Sequence, residues 1–289
     1  MNTLQHLYEQ LRNAFDVDDL HIPLTAVKFY RKQELIPGHI YAHHPTDLTL
    51  TSCQATKQAS LGDAVCLTLE NIGCVAAAIS FGLVNKDDEQ PLRGPRVYTD
   101  IMKNQSGLEQ QFNPPTPRDF TEGIVYACRN SGHFDYCLFG KEDSGRYKDV
   151  RTAKLAVSDM MAIQPAIMKG VFFFNHEFDD QELEPDVIVL GVRPVELARL
   201  VQAYQYQTGR PVQSSMGAVR VVNSDLIVRP YLTQDINIST YCVGARLIAQ
   251  FEGDRLGMGM PFSVFQELVK AMEASRTGYP YHQYPGAGG

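Results

Sequence analysis

The chain lacks the excess of basic residues that is typical of proteins that bind nucleic acids. It carries 26 Lys and Arg residues against 33 Asp and Glu residues, which leaves a net charge of -7 at pH 7. Because binding to nucleic acids depends largely on neutralising phosphates with basic side chains, this balance argues against a nucleic-acid partner.

A long apolar segment is also missing. The longest mostly apolar run without a charged residue, Ile72 to Val84, is shorter than the roughly 20 residues that a membrane-spanning helix needs. The first residues, Met1 to Phe15, place leucines at helical spacing with charged residues between them, unlike the basic-then-apolar order of a secretory signal. We therefore expect a cytoplasmic protein without a membrane span.

The six cysteines lack the close spacings of well-known metal motifs. The spacing Cys53-x12-Cys66-x7-Cys74 contains no CxxC pair and matches neither a zinc ribbon nor a ferredoxin motif. In a cytoplasmic chain most cysteines are reduced, so these residues are interpreted first as core residues, metal ligands or catalytic thiols.

Composition and patterning predict an α/β fold, with a mixed sheet flanked by helices. The content of 44% hydrophobic and 20% charged residues is that of a globular protein. Two near-continuous apolar runs, Gly170 to Asn175 and Pro185 to Gly191, predict strands covered on both faces, and the helix Val195 to Tyr206 follows the second. Further extended segments are predicted at Ala218 to Val222 and at Ile236 to Tyr241.

The domain organisation predicted from the sequence is a single interwoven domain over residues 1–276. A long surface insertion is expected at about 85–162, whose first part is dominated by charged residues, Gly and Pro. It is either a lid or an interface. Residues 277–289, in which Tyr, Pro and Gly alternate, predict a flexible C-terminal tail.

Cys53, Cys74 and Cys242 are the candidate site residues. Thr51 and Ser52 are suitable N-cap residues for a helix that carries Cys53 in its first turn, and Cys74 opens an Ala-rich helix. Backbone amides and the dipole at a helix N-terminus favour a thiolate, the form that binds metals or attacks electrophiles. Cys242 is predicted to end a strand before a turn with Arg246, a cation suited to steadying a thiolate or an acidic ligand.

The remaining cysteines favour structural interpretations. Cys66 lies inside an apolar run, so we place it in the core and outside the site. Cys128, His133 and Cys137 would be one ligand short of a tetrahedral metal site, and ordinary packing is the better interpretation.

Several polar residues near these motifs have both a structural and a functional interpretation. His43 and His44 are expected on a solvent-facing loop, with His44 as an alternative ligand. Gln54 and Glu70 lie near Cys53 and Cys74 in sequence, and helix capping is the structural alternative for both. Arg193 is predicted either to bind an anionic ligand or to form a surface ion pair with Glu196.

A glycine-rich stretch also has both a functional and a structural interpretation. The pattern Gly253-x3-Gly257-x-Gly259 lacks the preceding strand and the spacing of a dinucleotide fingerprint, so phosphate binding is not expected. These glycines are expected to ease a tight turn.

Eight short segments, taken as a set, carry a family resemblance. They are Pro23–Phe29, Cys53–Ala55, Glu70–Cys74, Pro185–Leu190, Leu200–Ala203, Arg229–Thr233, Cys242–Arg246 and Met258–Pro261. In this order they resemble the family called domain of unknown function 169 over most of the chain outside about Asn85 to Ala162. The resemblance implies that Cys53, Cys74 and Cys242 belong to recurring motifs. It also implies that a further cysteine often occurs where this chain has Gly217 to Arg220. Without that thiol, the chain would hold either a three-cysteine cluster with an open or differently ligated corner, or no cluster at all.

From these residues we expect a cofactor-bearing redox or electron-transfer protein in which Cys53, Cys74 and Cys242 ligate an iron–sulfur cluster. A redox partner protein would then exchange electrons with it. One alternative is a thiol-dependent enzyme in which Cys53 or Cys74 acts on a small anionic substrate. Another is a non-catalytic binding module for a tetrapyrrole such as haem. No catalytic residue is assigned, and formation of a homo-oligomer stays open.

Overall fold

The computed structural model of the chain describes residues 3–17, 20–45, 49–90, 118, 155–156, 159–217 and 221–278. Its α-helices are Thr3–Phe15 (α1), Gly38–Tyr41 (α2), Ser52–Ser60 (α3), Val75–Ser80 (α4), Pro194–Thr208 (α5), Arg229–Thr233 (α6), Val243–Ile248 (α7) and Phe262–Ala274 (α8). A π-helix spans Val221–Val228. The strands are Leu24–Arg31 (β1), Val65–Thr68 (β2), Met168–Phe174 (β3), Val187–Val192 (β4), Asn237–Ser239 (β5) and Leu256–Pro261 (β6). These elements confirm the predicted α/β class.

The strands form an open six-stranded sheet in the order β2-β3-β1-β4-β6-β5. Strand β4 pairs antiparallel with both of its neighbours, so that Leu190 lies opposite Leu24 on β1 and opposite Met258 on β6. All six residues of β4 are buried, as are six of the seven residues of β3. Because successive side chains point to opposite faces, consecutive burial means that both strands are covered on both faces, as predicted.

The chain divides into two compact units, each built from separate segments. The first unit comprises the described residues within 1–28, 56–64 and 173–289, and the second comprises those within 29–55 and 65–172. The single domain expected over residues 1–276 stays a prediction. Most of the insertion expected at about 85–162, and residues 279–289 of the expected tail, lie outside the described residues.

In the first unit, a buried ion pair anchors the start of α5. The carboxylate of Glu196 accepts the backbone N–H of Arg193 at 2.7 Å and pairs with the Arg255 guanidinium at 3.0 Å. Arg255 also donates to the carbonyl oxygen of Gly191 on β4 at 2.8 Å. The Arg193 guanidinium lies 3.5 Å from Asp254, so the predicted ion pair between the Arg193 and Glu196 side chains is replaced by one with Asp254.

The π-helix corrects one prediction about an extended segment. Val221 and Val222, which were expected to be extended, begin this helix, and all eight of its residues are buried. It packs on β6, where a β-carbon on Gly259 would meet the backbone of Leu226 and one on Gly257 would meet the Leu226 side chain. Both glycines lie in a strand, so they permit close packing and neither ease a turn nor cradle a phosphate.

Candidate functional site

The helix that carries Cys53 begins with a capping box. Gln54 donates its backbone N–H to the Thr51 hydroxyl at 3.2 Å, and the Gln54 side-chain oxygen accepts the backbone N–H of Thr51 at 2.9 Å. Helix α3 therefore begins at Ser52, and Cys53 lies in its first turn, as predicted. The capping interpretation of Gln54 is confirmed.

Cys74 is the N-cap residue of α4, with extended backbone at φ -127° and ψ 111°. The turn before it is closed by Asn71, whose side-chain oxygen accepts the backbone N–H of Thr68 at 2.7 Å. Glu70 in this turn was considered as a capping residue, but α4 has no side-chain cap, and the Glu70 carboxylate lies 3.9 Å from Nε2 of His44. The prediction that Cys74 opens a helix is confirmed, and the capping interpretation of Glu70 is wrong.

A parallel backbone pairing in the second unit brings these two helix starts together. Leu50 and Ile72 form a parallel β-bridge, and the carbonyl oxygen of Leu50 accepts the N–H of Gly73 at 2.7 Å. A β-carbon on Gly73 would lie 3.3 Å from the Leu50 backbone, so a residue without a side chain allows this close approach. Cys53 lies three residues after Leu50 and Cys74 two residues after Ile72, and both cysteines are half-buried. The bridge therefore places two cysteine-bearing helix N-termini side by side.

Cys242 is the N-cap residue of α7, with extended backbone at φ -70° and ψ 165°. Strand β5 ends at Ser239, so Cys242 begins a helix and does not end a strand. The Arg246 guanidinium donates to the carbonyl oxygens of Tyr241 at 3.2 Å and Glu252 at 2.8 Å. The cation that was expected to steady a thiolate thus holds the backbone of the neighbouring loop.

The three candidate cysteines are divided between the units. Cys53 and Cys74 belong to the second unit and Cys242 to the first. These cysteines and Cys66 are thiols and not disulfides. Across the ranges that the structure describes, no group of three or more His, Cys, Asp or Glu residues is arranged to hold a metal ion. The three-thiolate site stays a prediction.

Cys66 has the environment of a core residue. It lies in β2 with no exposed surface, and burial raises the pKa of its thiol to about 11. Its thiol is therefore protonated at neutral pH, as suits a residue outside the site. Cys128, His133 and Cys137 lie outside the described residues.

The adjacent residues His43 and His44 differ in their exposure to solvent. His43 is exposed, as predicted, whereas only 7% of the His44 side chain is exposed. Nε2 of His44 is 2.9 Å from the Thr68 hydroxyl, and the His44 ring stacks on Tyr41 with 4.9 Å between ring centroids. His44 therefore belongs to the packing around the turn that precedes Cys74, and the expectation that it faces solvent is wrong.

Sequence reasoning missed a buried acid, Asp225, in the π-helix. One carboxylate oxygen of Asp225 accepts the backbone N–H of Gly217 at 2.8 Å and the hydroxyl of Ser239 at 2.9 Å. Burial raises the pKa of Asp225, although these hydrogen bonds and the charge of Arg229 oppose the shift. The available signal was an Asp that lies between two apolar groups, Val221–Val222 and Leu226–Val228. Arg220 in the segment after Gly217 lies outside the described residues.

These features define an α/β protein with an open, largely antiparallel sheet and half-buried cysteines at the N-termini of three helices. A family model described as uncharacterised ArCR matches residues 19–271, so the chain belongs to the domain of unknown function 169 family. No curated protein and no solved structure matches the chain. In the part of the chain that the structure describes, no helix has the length and apolar character needed to cross a bilayer.

Proposed function

We propose that this protein is a cofactor-bearing redox or electron-transfer protein whose iron–sulfur cluster is held by Cys53, Cys74 and Cys242. The observation that carries the proposal is the parallel bridge between Leu50 and Ile72, which supports Cys53 and Cys74 as a pair of ligands. Two thiolates from neighbouring helix starts are the kind of soft donors that select iron–sulfur clusters over hard cations.

The donor chemistry of each cysteine supports this assignment. Cys74 and Cys242 are N-cap residues without a side-chain cap, and Cys53 lies in a first helical turn. Backbone amides at these positions favour negative charge on sulfur. A bound cluster would carry one electron at a time between partner proteins, while the half-buried setting of the cysteines limits its contact with water.

The test is purification without oxygen, followed by measurement of iron, acid-labile sulfide and visible absorbance. We expect iron and sulfide in the wild-type protein and loss of both in Cys53→Ser, Cys74→Ser and Cys242→Ser. Cys66→Ala is the matched control, because this buried thiol should not affect the iron content. A colourless, iron-free wild-type protein after anaerobic purification and reconstitution contradicts the proposal.

The second candidate function is a thiol-dependent enzyme that acts on a small anionic substrate. The specific observation in its favour is that Cys53 and Cys74, both half-buried, start neighbouring helices. Under this alternative, metal-free protein should contain one thiol that reacts with iodoacetamide much faster than Cys66 at neutral pH. Equal, slow alkylation of every thiol would argue against it. Haem binding stays a prediction that a titration followed at the Soret band would test.

A further inference from the structure

Cys53 and Cys74 follow two backbone segments that run side by side in the second unit. The N–H of Leu50 donates to the carbonyl oxygen of Asn71 at 2.9 Å, and the carbonyl oxygen of Leu50 accepts the N–H of Gly73 at 2.7 Å. Segments paired in this way lie about 4.8 Å apart. This spacing is close to that of a disulfide, whose Cα atoms are roughly 4.4–6.8 Å apart.

The close contact continues one residue beyond the bridge. A β-carbon on Gly73 would lie 3.5 Å from the backbone nitrogen of Thr51. Cys74 follows Gly73 directly with extended backbone, which carries its Cα about 3.8 Å further along the chain. On the other segment, Thr51 precedes α3, where each residue advances only about 1.5 Å along the helix axis, so Cys53 stays close to the contact. Both cysteines are therefore held near the same point of the second unit.

Hydrogen bonds fix the two segments separately. The buried side chain of Asn71 accepts the N–H of Thr68 at 2.7 Å and donates to the carbonyl oxygen of Cys66 at 2.9 Å. On the other segment, the capping box between Thr51 and Gln54 fixes the first turn of α3. Two thiols on segments that are already ordered lose little freedom when they join, which favours a bond between them over bonds to molecules in solution.

The two thiols also differ in accessibility from the third cysteine of this unit that the structure describes. Cys53 and Cys74 are half-buried, so part of each residue is exposed to solvent. Cys53 lies in the first turn of a nine-residue helix, where backbone amides favour the thiolate. Cys66, by contrast, has no exposed surface, and burial raises the pKa of its thiol to about 11. A small oxidant in solution is therefore expected to react with Cys53 and Cys74 and not with Cys66.

We propose that Cys53 and Cys74 form a reversible disulfide when the cluster-free protein meets a low-molecular-weight disulfide such as glutathione disulfide. The Cys53 thiolate attacks one sulfur of the oxidant, which gives a mixed disulfide and releases one glutathione thiolate. The Cys74 thiolate then attacks the Cys53 sulfur and releases the second glutathione thiolate. Two protein thiols are oxidised, their protons pass to the released thiolates, and one glutathione disulfide is reduced to two glutathione molecules.

The disulfide would regulate the same site that is proposed to hold the cluster. Its formation withdraws the Cys53 and Cys74 thiolates, so it blocks cluster assembly until a thiol reductant restores them. This consequence rests on the proposed function, whereas the disulfide itself does not require a cluster.

The test measures the disulfide in the full chain after treatment with an iron chelator and equilibration in glutathione redox buffers. Cleavage after Lys57 and Glu70 separates Cys53, Cys66 and Cys74 into different peptides, so mass spectrometry of the acid-quenched, alkylated protein assigns the bond. We expect a cross-linked peptide that joins Cys53 to Cys74. The effective concentration of these two thiols should be at least about tenfold higher in the folded protein than in the same chain unfolded in urea.

Cysteine variants test the second step of the reaction. Cys53→Ser and Cys74→Ser should each stop at a glutathione adduct on the remaining thiol of the pair. Cys66→Ala is the matched control, and it should form the bond between Cys53 and Cys74 to the same extent as the wild-type protein.

Glycine variants test whether the bridge sets the spacing of the thiols. Gly73→Ala should lower the effective concentration in the folded protein by at least about threefold, because its β-carbon would lie 3.3 Å from the Leu50 backbone and push the segments apart. Gly38→Ala is the matched control in the same unit, since a β-carbon there meets no atom within 4 Å. Circular dichroism would confirm that each variant is folded.

Three results would overturn the proposal. They are an effective concentration in the folded chain no higher than in urea, a bond from Cys53 or Cys74 mainly to another cysteine, and glutathione adducts that persist on both thiols of the wild-type protein. All of these measurements use cluster-free protein. An iron-free protein after anaerobic purification would therefore contradict the proposed function and leave the disulfide result unchanged.

Discussion

At the scale of single residues, Asp225 shows how a buried charge depends on its neighbours. Only 6% of its surface is exposed, and one of its oxygens accepts both the Gly217 N–H and the Ser239 hydroxyl. These bonds offset part of the cost of burying a carboxylate, but the pKa of Asp225 is still raised by burial. The folded state therefore binds the Asp225 proton more tightly than the unfolded chain does.

This shift predicts that Asp225→Asn stabilises the protein at neutral pH. A raised pKa means that the stability contributed by protonated Asp225 is present at low pH and is lost as pH rises through the folded-state pKa. Asn keeps an oxygen that can accept both hydrogen bonds and carries no charge. Urea unfolding should therefore show a gain in the free energy of unfolding that is small in acid and increases towards neutral pH.

The control for this experiment is Asp63→Asn, which changes an exposed carboxylate between α3 and β2. It should leave the free energy of unfolding nearly unchanged at every pH. A loss of stability in Asp225→Asn at neutral pH would show that its negative charge is required by a neighbouring group.

At the scale of elements, the π-helix and β6 depend on each other. Gly259 permits the backbone of Leu226 to approach the strand more closely than any β-carbon allows. We expect Gly259→Ala to lower the free energy of unfolding by at least about 2 kcal/mol, because either the π-helix or the strand must move. Chemical denaturation measures this change.

Gly253→Ala is the matched control for the Gly259→Ala substitution. Gly253 belongs to the same glycine-rich stretch, but a β-carbon there meets no atom within 4 Å. Its effect on stability should stay within about 0.5 kcal/mol. Equal effects of the two substitutions would contradict the packing that we describe between β6 and the π-helix.

Some of these elements could be predicted from the sequence, and others could not. The capping box of α3 and the helix start at Cys74 were predictable because they depend on residues only a few positions apart. The π-helix was missed because the segment Val221–Val228, in which three polar residues separate two apolar groups, has no period that distinguishes a helix from a strand. Its register is decided by packing against Gly257 and Gly259 on another segment.

At the scale of the whole molecule, two histidines connect the stability of the first unit to pH. Burial lowers the pKa of His176, whose ring stacks on Tyr8 of α1 with 3.7 Å between centroids. The pKa of His21, which is exposed at the surface, is lowered by partial burial of its ring and by the charges of Arg255 and Arg12. Both residues are therefore held in the neutral form in the folded chain.

These shifts predict a loss of stability in mild acid. For a histidine with a lowered folded-state pKa, the stabilising contribution is present above the unfolded pKa of about 6.5 and is lost as pH falls through the folded-state pKa. The free energy of unfolding should therefore decrease between about pH 7 and pH 5. His176→Gln should make this decrease shallower, whereas His39→Gln, at an exposed position, should not. If the free energy of unfolding of His176→Gln falls with pH as steeply as that of the wild type, the loss of stability is not caused by His176.

The sequence by itself determined the α/β class, the buried strands β3 and β4, and the positions of Cys53 and Cys74 at helix starts. Each of these follows from burial patterns or capping groups within a few residues of chain. Tertiary structure alone decided that Leu50 pairs with Ile72, that Asp225 is enclosed, and that Lys57 meets Glu252. Such contacts join segments far apart in the chain, and they form only when the burial of whole elements brings those segments together.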